Sequence, residues 1–209
     1  MLKLLLITLG WTLAHAPEAP LRLLAGLLGD GIFFCLPRRR RLVLSNLHHA
    51  FPEKSRAGRR AIGRESCRRL VETSLLSLAL PYLDEARLRG IVRTGPEFAE
   101  LYPLLARAEP TIFVTPHLAY WEVLTALPFC VPGPLPEIGV VFRPLDDPSA
   151  DAFVKRTRER FGIRLLSRRG GFTEAFRILR RHGIVDLLFD QNAGMQGALT
   201  LFLGRVCST

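Results

Sequence analysis

The chain has 209 residues, 48% of them apolar, and its 29 Lys+Arg against 19 Asp+Glu give a formal net charge of +10. That length and apolar content are enough to bury one substantial core and exclude global disorder, while a cationic excess made mostly of arginine suits phosphates, anionic lipid or an acidic protein. Cys35, Cys67, Cys130 and Cys207 are scattered with no C-x-x-C spacing, which excludes a zinc-ribbon pattern and a disulfide framework and fits a reducing, cytoplasmic setting.

From the amino terminus, Leu4 to Leu13 is nearly all apolar, His15, Glu18 and Arg22 break the run, and a second apolar stretch from Leu23 to Leu36 is cut off by Arg38 to Arg41. Neither stretch alone reaches the ~20 residues of a comfortable transmembrane helix. Residues 1–36 are therefore expected to be a membrane anchor that lies along the interface, or spans with a break, its basic end on the cytoplasmic side. Ala14-His15-Ala16 also resembles a signal-peptide cleavage site, but a mature secreted chain seldom needs the second apolar stretch that follows at once.

Residues 37–69 are dense in arginine at helix-compatible spacings, readable as a solvated helix face or as a surface meeting lipid phosphates or an acidic carrier. An apolar helix over residues 70–80 stops at Pro81, and another is expected over residues 96–106. Thr111 to Thr115 is short, β-branched and apolar, a buried strand, with Pro116 placed to open a helix. Pro128, Pro132, Pro134 and Pro136 mark a long loop. Strands follow at residues 138–142, 163–166 and 184–189, alternating with helices at 149–161 and 172–181. Such alternation predicts an α/β fold with a mainly parallel central sheet and helices on both faces, occupying residues 37–209 after the membrane-associated amino-terminal helix.

In parallel sheets, ligands bind beyond the carboxyl ends of the strands. His117, Arg143 and Asp190 each follow a strand closely, so three polar or charged groups are expected on one rim. His117 and Glu122 are five positions apart, about 140° around a regular helix, and can meet only if His117 lies in a turn and Glu122 on the first turns after it. In that arrangement the carboxylate would fix the imidazole tautomer and leave the other ring nitrogen to take a proton from a hydroxyl. No glycine-rich phosphate loop or dinucleotide fingerprint occurs, and no metal or cofactor is expected.

Several blocks in a fixed order resemble a known family. Asn46-Leu47 with Ala50-Phe51-Pro52-Glu53, the 115–122 block, Phe142-Arg143-Pro144, Arg158 to Gly162, Asp190-Gln191 and Phe202-Leu203-Gly204 resemble signatures of the lipid A biosynthesis acyltransferases, the lauroyl and myristoyl transferases. The resemblance implies a bacterial inner-membrane enzyme with its catalytic domain on the cytoplasmic side. It would take an acyl chain from acyl carrier protein and place it on a hydroxyl of a lipid A precursor. His117 would be the general base with Glu122 its partner, and Arg143 and Arg158 would bind phosphate or stabilise charge, with Asp190 holding one of them.

The chain departs from the family's pattern in two places. Ala119 and Tyr120 stand where family members often have a glycine-asparagine pair, and the chain ends at Thr209 where they continue for about another third of this length, so a carboxyl-terminally incomplete domain is expected. Two other readings are open. One keeps the chemistry but uses acyl-CoA and a phosphatidylinositol mannoside. The other is a non-enzymatic basic module on a membrane surface or nucleic acid, although the basic runs lack the interleaved aromatics of a single-strand binder, so no nucleic acid is expected.

Overall fold

A computed structural model describes residues 2–168 and 170–209, in two compact units. Leu6–Ala79 groups with Gln191–Thr209, and Leu80–Asp190 groups with the residues up to Leu5.

The helical unit contains most of α1 (Leu2–His15), then α2 (Glu18–Cys35), α3 (Pro37–Ala50) and α4 (Arg56–Ala79). Ala25, Gly29 and Phe33, four apart on one face of α2, are its buried residues, and α2 packs against α4. Gly29 is required there, because a β-carbon would run into the backbone of Arg68 on α4. One position along, Asp30 accepts from both Arg64 and Arg68 at 2.6–2.7 Å, so a charged clamp flanks the close approach. The opposite face of α2 is apolar and exposed at Leu23, Leu24, Leu27 and Leu28. Among the described residues no single helix is long and apolar enough to cross a membrane, and α2 turns into the basic α3 with a bend of 92° at Leu36. The same unit carries an antiparallel hairpin of β5 (Leu199–Phe202) and β6 (Arg205–Ser208), an element the sequence pattern did not announce.

The other unit is the α/β body. Its strands β1 (Thr111–Thr115), β2 (Ile138–Phe142), β3 (Ile163–Ser167) and β4 (Ile184–Leu188) form one parallel sheet in the order β1-β4-β2-β3. β2, β3 and β4 are largely apolar runs with buried residues on both faces of the sheet, whereas β1, expected as a buried strand, lies at the sheet's edge and leaves Ile112 and Val114 exposed on one face. One face buries Ile138, Val140, Ile163, Leu165 and Ile184 with Leu105 of α6 (Pro96–Leu105) and Leu127 of α7 (Leu127–Cys130). The other buries Val185 and Leu166 beneath Ala175 and Ile178 of α9 (Phe172–Arg180). Gly139 lets that helix settle, since a β-carbon would lie 2.6 Å from Ile178 Cδ1 and 2.8 Å from Leu166 Cδ1. α8 (Pro148–Glu159), capped by the Asp147 side chain on the Ala150 N–H, packs beside β3, and α5 (Glu85–Ile91), capped by Asp84, packs on α7. The expected parallel α/β sheet with helices on both faces is present.

The segment after Pro116 differs from expectation. It forms a loop over residues 116–120 and then a 3₁₀ helix, Trp121–Ala126, rather than a helix opened by Pro116. Ala119 sits at φ 51°, which is incompatible with a regular helical turn there.

Candidate active site

The order of the sheet explains the centre of the site. β1 and β4 are neighbours with Thr115 opposite Leu188, and each chain then continues two residues to His117 and to Asp190. The Phe189 N–H donates to the Thr115 carbonyl at 3.3 Å, extending the pairing past the strands' ends. Asp190 grips His117 twice: its Oδ2 accepts the backbone N–H at 2.7 Å, and its Oδ1 lies 2.6 Å from Nδ1. A carboxylate can only accept, so Nδ1 carries the proton and the lone pair of the neutral imidazole is on Nε2. Burial pushes the Asp190 carboxyl up, but the hydrogen bonds and charge of His117 outweigh it and hold the group below its ordinary value.

The loop puts His117 in a turn and Glu122 on the first turn of the following helix, the arrangement the spacing required. The structure nevertheless pairs His117 with Asp190 and Glu122 with Arg158. Both oxygens of the buried Glu122 receive N–H groups from Arg158 of α8, Nε to Oε1 and a terminal nitrogen to Oε2 at 3.0 Å. The two pairs meet at Trp121, whose ring takes the imidazole edge-on at 4.9 Å between centroids and lies 5.7 Å from the Arg158 guanidinium carbon. Sequence reasoning expected Asp190 to hold an arginine and Glu122 to hold the histidine. The neighbouring of β1 and β4, which local spacing does not encode, exchanged those partners.

Ala119 is the strained point of the loop. Its φ of 51° is disfavoured for a residue with a β-carbon, and it occupies the position where the sequence comparison noted a frequent glycine. Ala119→Gly is expected to stabilise the protein by about 1 kcal/mol through relief of this conformation, read as a raised thermal midpoint. An unchanged or lowered midpoint would show that the loop carries no such strain.

Around the loop lies a cavity of about 490 Å³, lined mainly by apolar groups, including Ile91, Val92, Leu118, Trp121, Val123 and Leu124. Its volume falls in the range of about 300–1,000 Å³ typical of small-ligand sites. Tyr120 also lines it, and burial, with the nearby Glu122 charge, pushes its phenol strongly up, so it stays protonated. At the end of β1 the Thr115 hydroxyl donates to Asp186 Oδ1 at 2.9 Å, and burial pushes that carboxyl up against the lowering effect of Thr115. This pair and the Ile91–Val92 segment were not singled out from sequence, since each depends on which chain segments become neighbours. Cys130 is half-buried and burial pushes its thiol up, consistent with a packing role. Arg143 is exposed at the end of β2, on the same rim as His117 and Asp190. Among the described residues no group of three or more His, Cys, Asp or Glu is placed to hold a metal ion.

A rim histidine with a fixed tautomer, a buried carboxylate–arginine pair and an adjoining apolar cavity can serve proton transfer beside a bound hydrocarbon chain. The model of the bacterial lipid A biosynthesis acyltransferase family matches residues 1–208, nearly the whole chain. The chain belongs to this family. No curated protein matches it significantly. In this lipid A biosynthesis acyltransferase, residues 115–122 run from the end of β1 through the loop into the 3₁₀ helix, and Asp190, just past β4, is the residue that holds His117.

Proposed function

We propose that this acyltransferase moves a fatty acyl chain from an acyl carrier protein thioester to a hydroxyl of a lipid A precursor, with His117 as the general base. The observation that carries the reading is the double grip of Asp190 on His117, which puts the ring proton on Nδ1 and the basic lone pair on Nε2. In this reading Nε2 takes the acceptor's hydroxyl proton as its oxygen attacks the thioester carbonyl and the C–O bond forms. The C–S bond then breaks, and the imidazolium returns the proton to the leaving thiolate, giving an ester and a free carrier thiol. Asp190 stabilises the imidazolium directly. Glu122 acts on the imidazole through Arg158 and Trp121, and the Arg158 cation favours the negative charge that develops on the carbonyl oxygen. The apolar cavity beside the loop suits the acyl chain.

In the same proposal residues 1–36 hold the enzyme on the cytoplasmic face of the bacterial inner membrane. Support comes from the bare leucine face of α2, which ends at the exposed Arg38, Arg39 and Arg41 of α3, a pairing of apolar and cationic surface suited to lipid and its head groups.

Membranes containing the chain, supplied with an acyl carrier protein thioester and a tetra-acylated lipid A precursor, are expected to yield a penta-acylated product. Transfer only from acyl-CoA to a phosphatidylinositol mannoside would replace both substrates, and absence of transfer to any of these acceptors would sink the reading.

A further inference from the structure

The rim holds a second feature beyond the histidine. β2 and β3 pair with Phe142 opposite Ser167, so the next residues, Arg143 and Arg168, come out of the sheet side by side. The Arg168 N–H donates to the Phe142 carbonyl at 2.9 Å, which fixes their backbones together. Both arginines are exposed, and among the described residues neither has an acid within ion-pair distance. Among the described residues Arg93, Arg107, Arg156 and Arg180 of this unit also lack an acid at ion-pair distance; what sets Arg143 and Arg168 apart is that they sit at neighbouring strand ends. At the opposite end of the sheet and on α9, Arg164 and Arg181 are shared between Glu137 and Glu174, and Arg177 binds Glu174. In the last turn of α8, Arg158 is taken by Glu122. Two arginines on backbones fixed side by side can turn both cationic side chains to one anion, which removes the repulsion between them.

We propose that Arg143 and Arg168 form a phosphate site for the substrate of the reaction assigned to His117, an inference that rests on that assignment. Guanidiniums bind phosphate oxygens through paired N–H groups, and two of them match a dianion. The strand order gives the distance. With about 4.8 Å between neighbouring strands and the order β1-β4-β2-β3, the ends of β2 and β3 stand about 10 and 14 Å from the end of β1 that carries His117. The site therefore reads a phosphate some 10–15 Å from the reacting hydroxyl or thioester, on the head group of a glycolipid acceptor or on the donor's carrier arm.

The test measures two preferences. One is phosphorylated over phosphatase-treated glycolipid acceptor, and the other is acyl carrier protein thioester over a phosphate-free acyl-pantetheine thioester, each for wild type, Arg143→Gln, Arg168→Gln and the double variant. Each single change is expected to raise KM for the phosphate-bearing substrate about tenfold, and the double change to bring one of the two preferences close to unity. Collapse of the acceptor preference supports the site and assigns it to the head group; collapse of the donor preference supports it and assigns it to the carrier arm. Both preferences unchanged in a folded double variant would overturn it. Retention of phosphorylated against dephosphorylated acceptor micelles is measured alongside without turnover. If wild type transfers no acyl chain, the catalytic assignment fails, and this binding arm decides alone: a wild-type preference lost in the double variant supports a phosphate site, and equal retention overturns it. Should the double variant unfold, the exposed single change Arg168→Gln decides by the same ratios.

Discussion

His117→Ala is expected to lower kcat for acyl transfer by about two to four orders of magnitude, the usual worth of a general base, and Asp190→Asn to come close to it. The second expectation follows from hydrogen-bond polarity. An asparagine at 190 can still accept the His117 backbone N–H through its carbonyl oxygen, but it then turns its NH₂ group toward Nδ1. Nδ1 must accept, Nε2 must carry the proton, and the base is lost while the ring stays in place. Asp190→Glu keeps the acceptor and is expected to retain more activity than Asp190→Asn. Near-wild-type kcat in Asp190→Asn would show that the Asp190 contact only supports the loop. The pH dependence has a definite sign. Because the folded protein holds the Asp190 carboxyl below its ordinary value, the pair's contribution to stability is complete above the ordinary carboxylate range and is lost as pH falls through the lowered value. Asp190→Asn should therefore flatten the acid limb of the unfolding midpoint against pH.

What could be read from the sequence, and what could not, divides along a physical line. β1, β2, β3, β4, α6, α8 and α9 declared themselves through runs of apolar residues and capping positions, all of them local in sequence. The rim was legible too, because His117, Arg143 and Asp190 follow strands closely. Partner choice was not. Asp190 meets His117 because β4 lies next to β1, although β2 and β3 intervene in the chain, and no periodicity reports that order. The pairing of Glu122 with Arg158 likewise depends on α8 returning past the 3₁₀ helix. The broken helix after Pro116 was missed because proline favours a helical start, while the left-handed conformation of Ala119 interrupts it locally.

Glu122→Ala is expected to cost about 3–5 kcal/mol of stability, the penalty for leaving a largely buried charge unpaired, since the Arg158 side chain is only 23% exposed. Activity should fall with it, because the guanidinium would no longer be pinned beside Trp121 and the edge contact on the imidazole would loosen. Loss of activity in this variant alone does not separate folding from chemistry. The double change Glu122→Met with Arg158→Met does. Replacing a buried ion pair by apolar groups of similar volume is often neutral or stabilising, so the unfolding midpoint is expected to return to near the wild-type value while transfer remains severely impaired. If the double variant regained both stability and activity, the pair would be packing material only, and neither Arg158 nor Glu122 would have a part in the reaction. If it regained stability alone, the Arg158 charge beside Trp121, which packs on His117, is what the buried glutamate is there to hold, and this gives the five-residue spacing from His117 to Glu122 a purpose without direct contact between the two side chains.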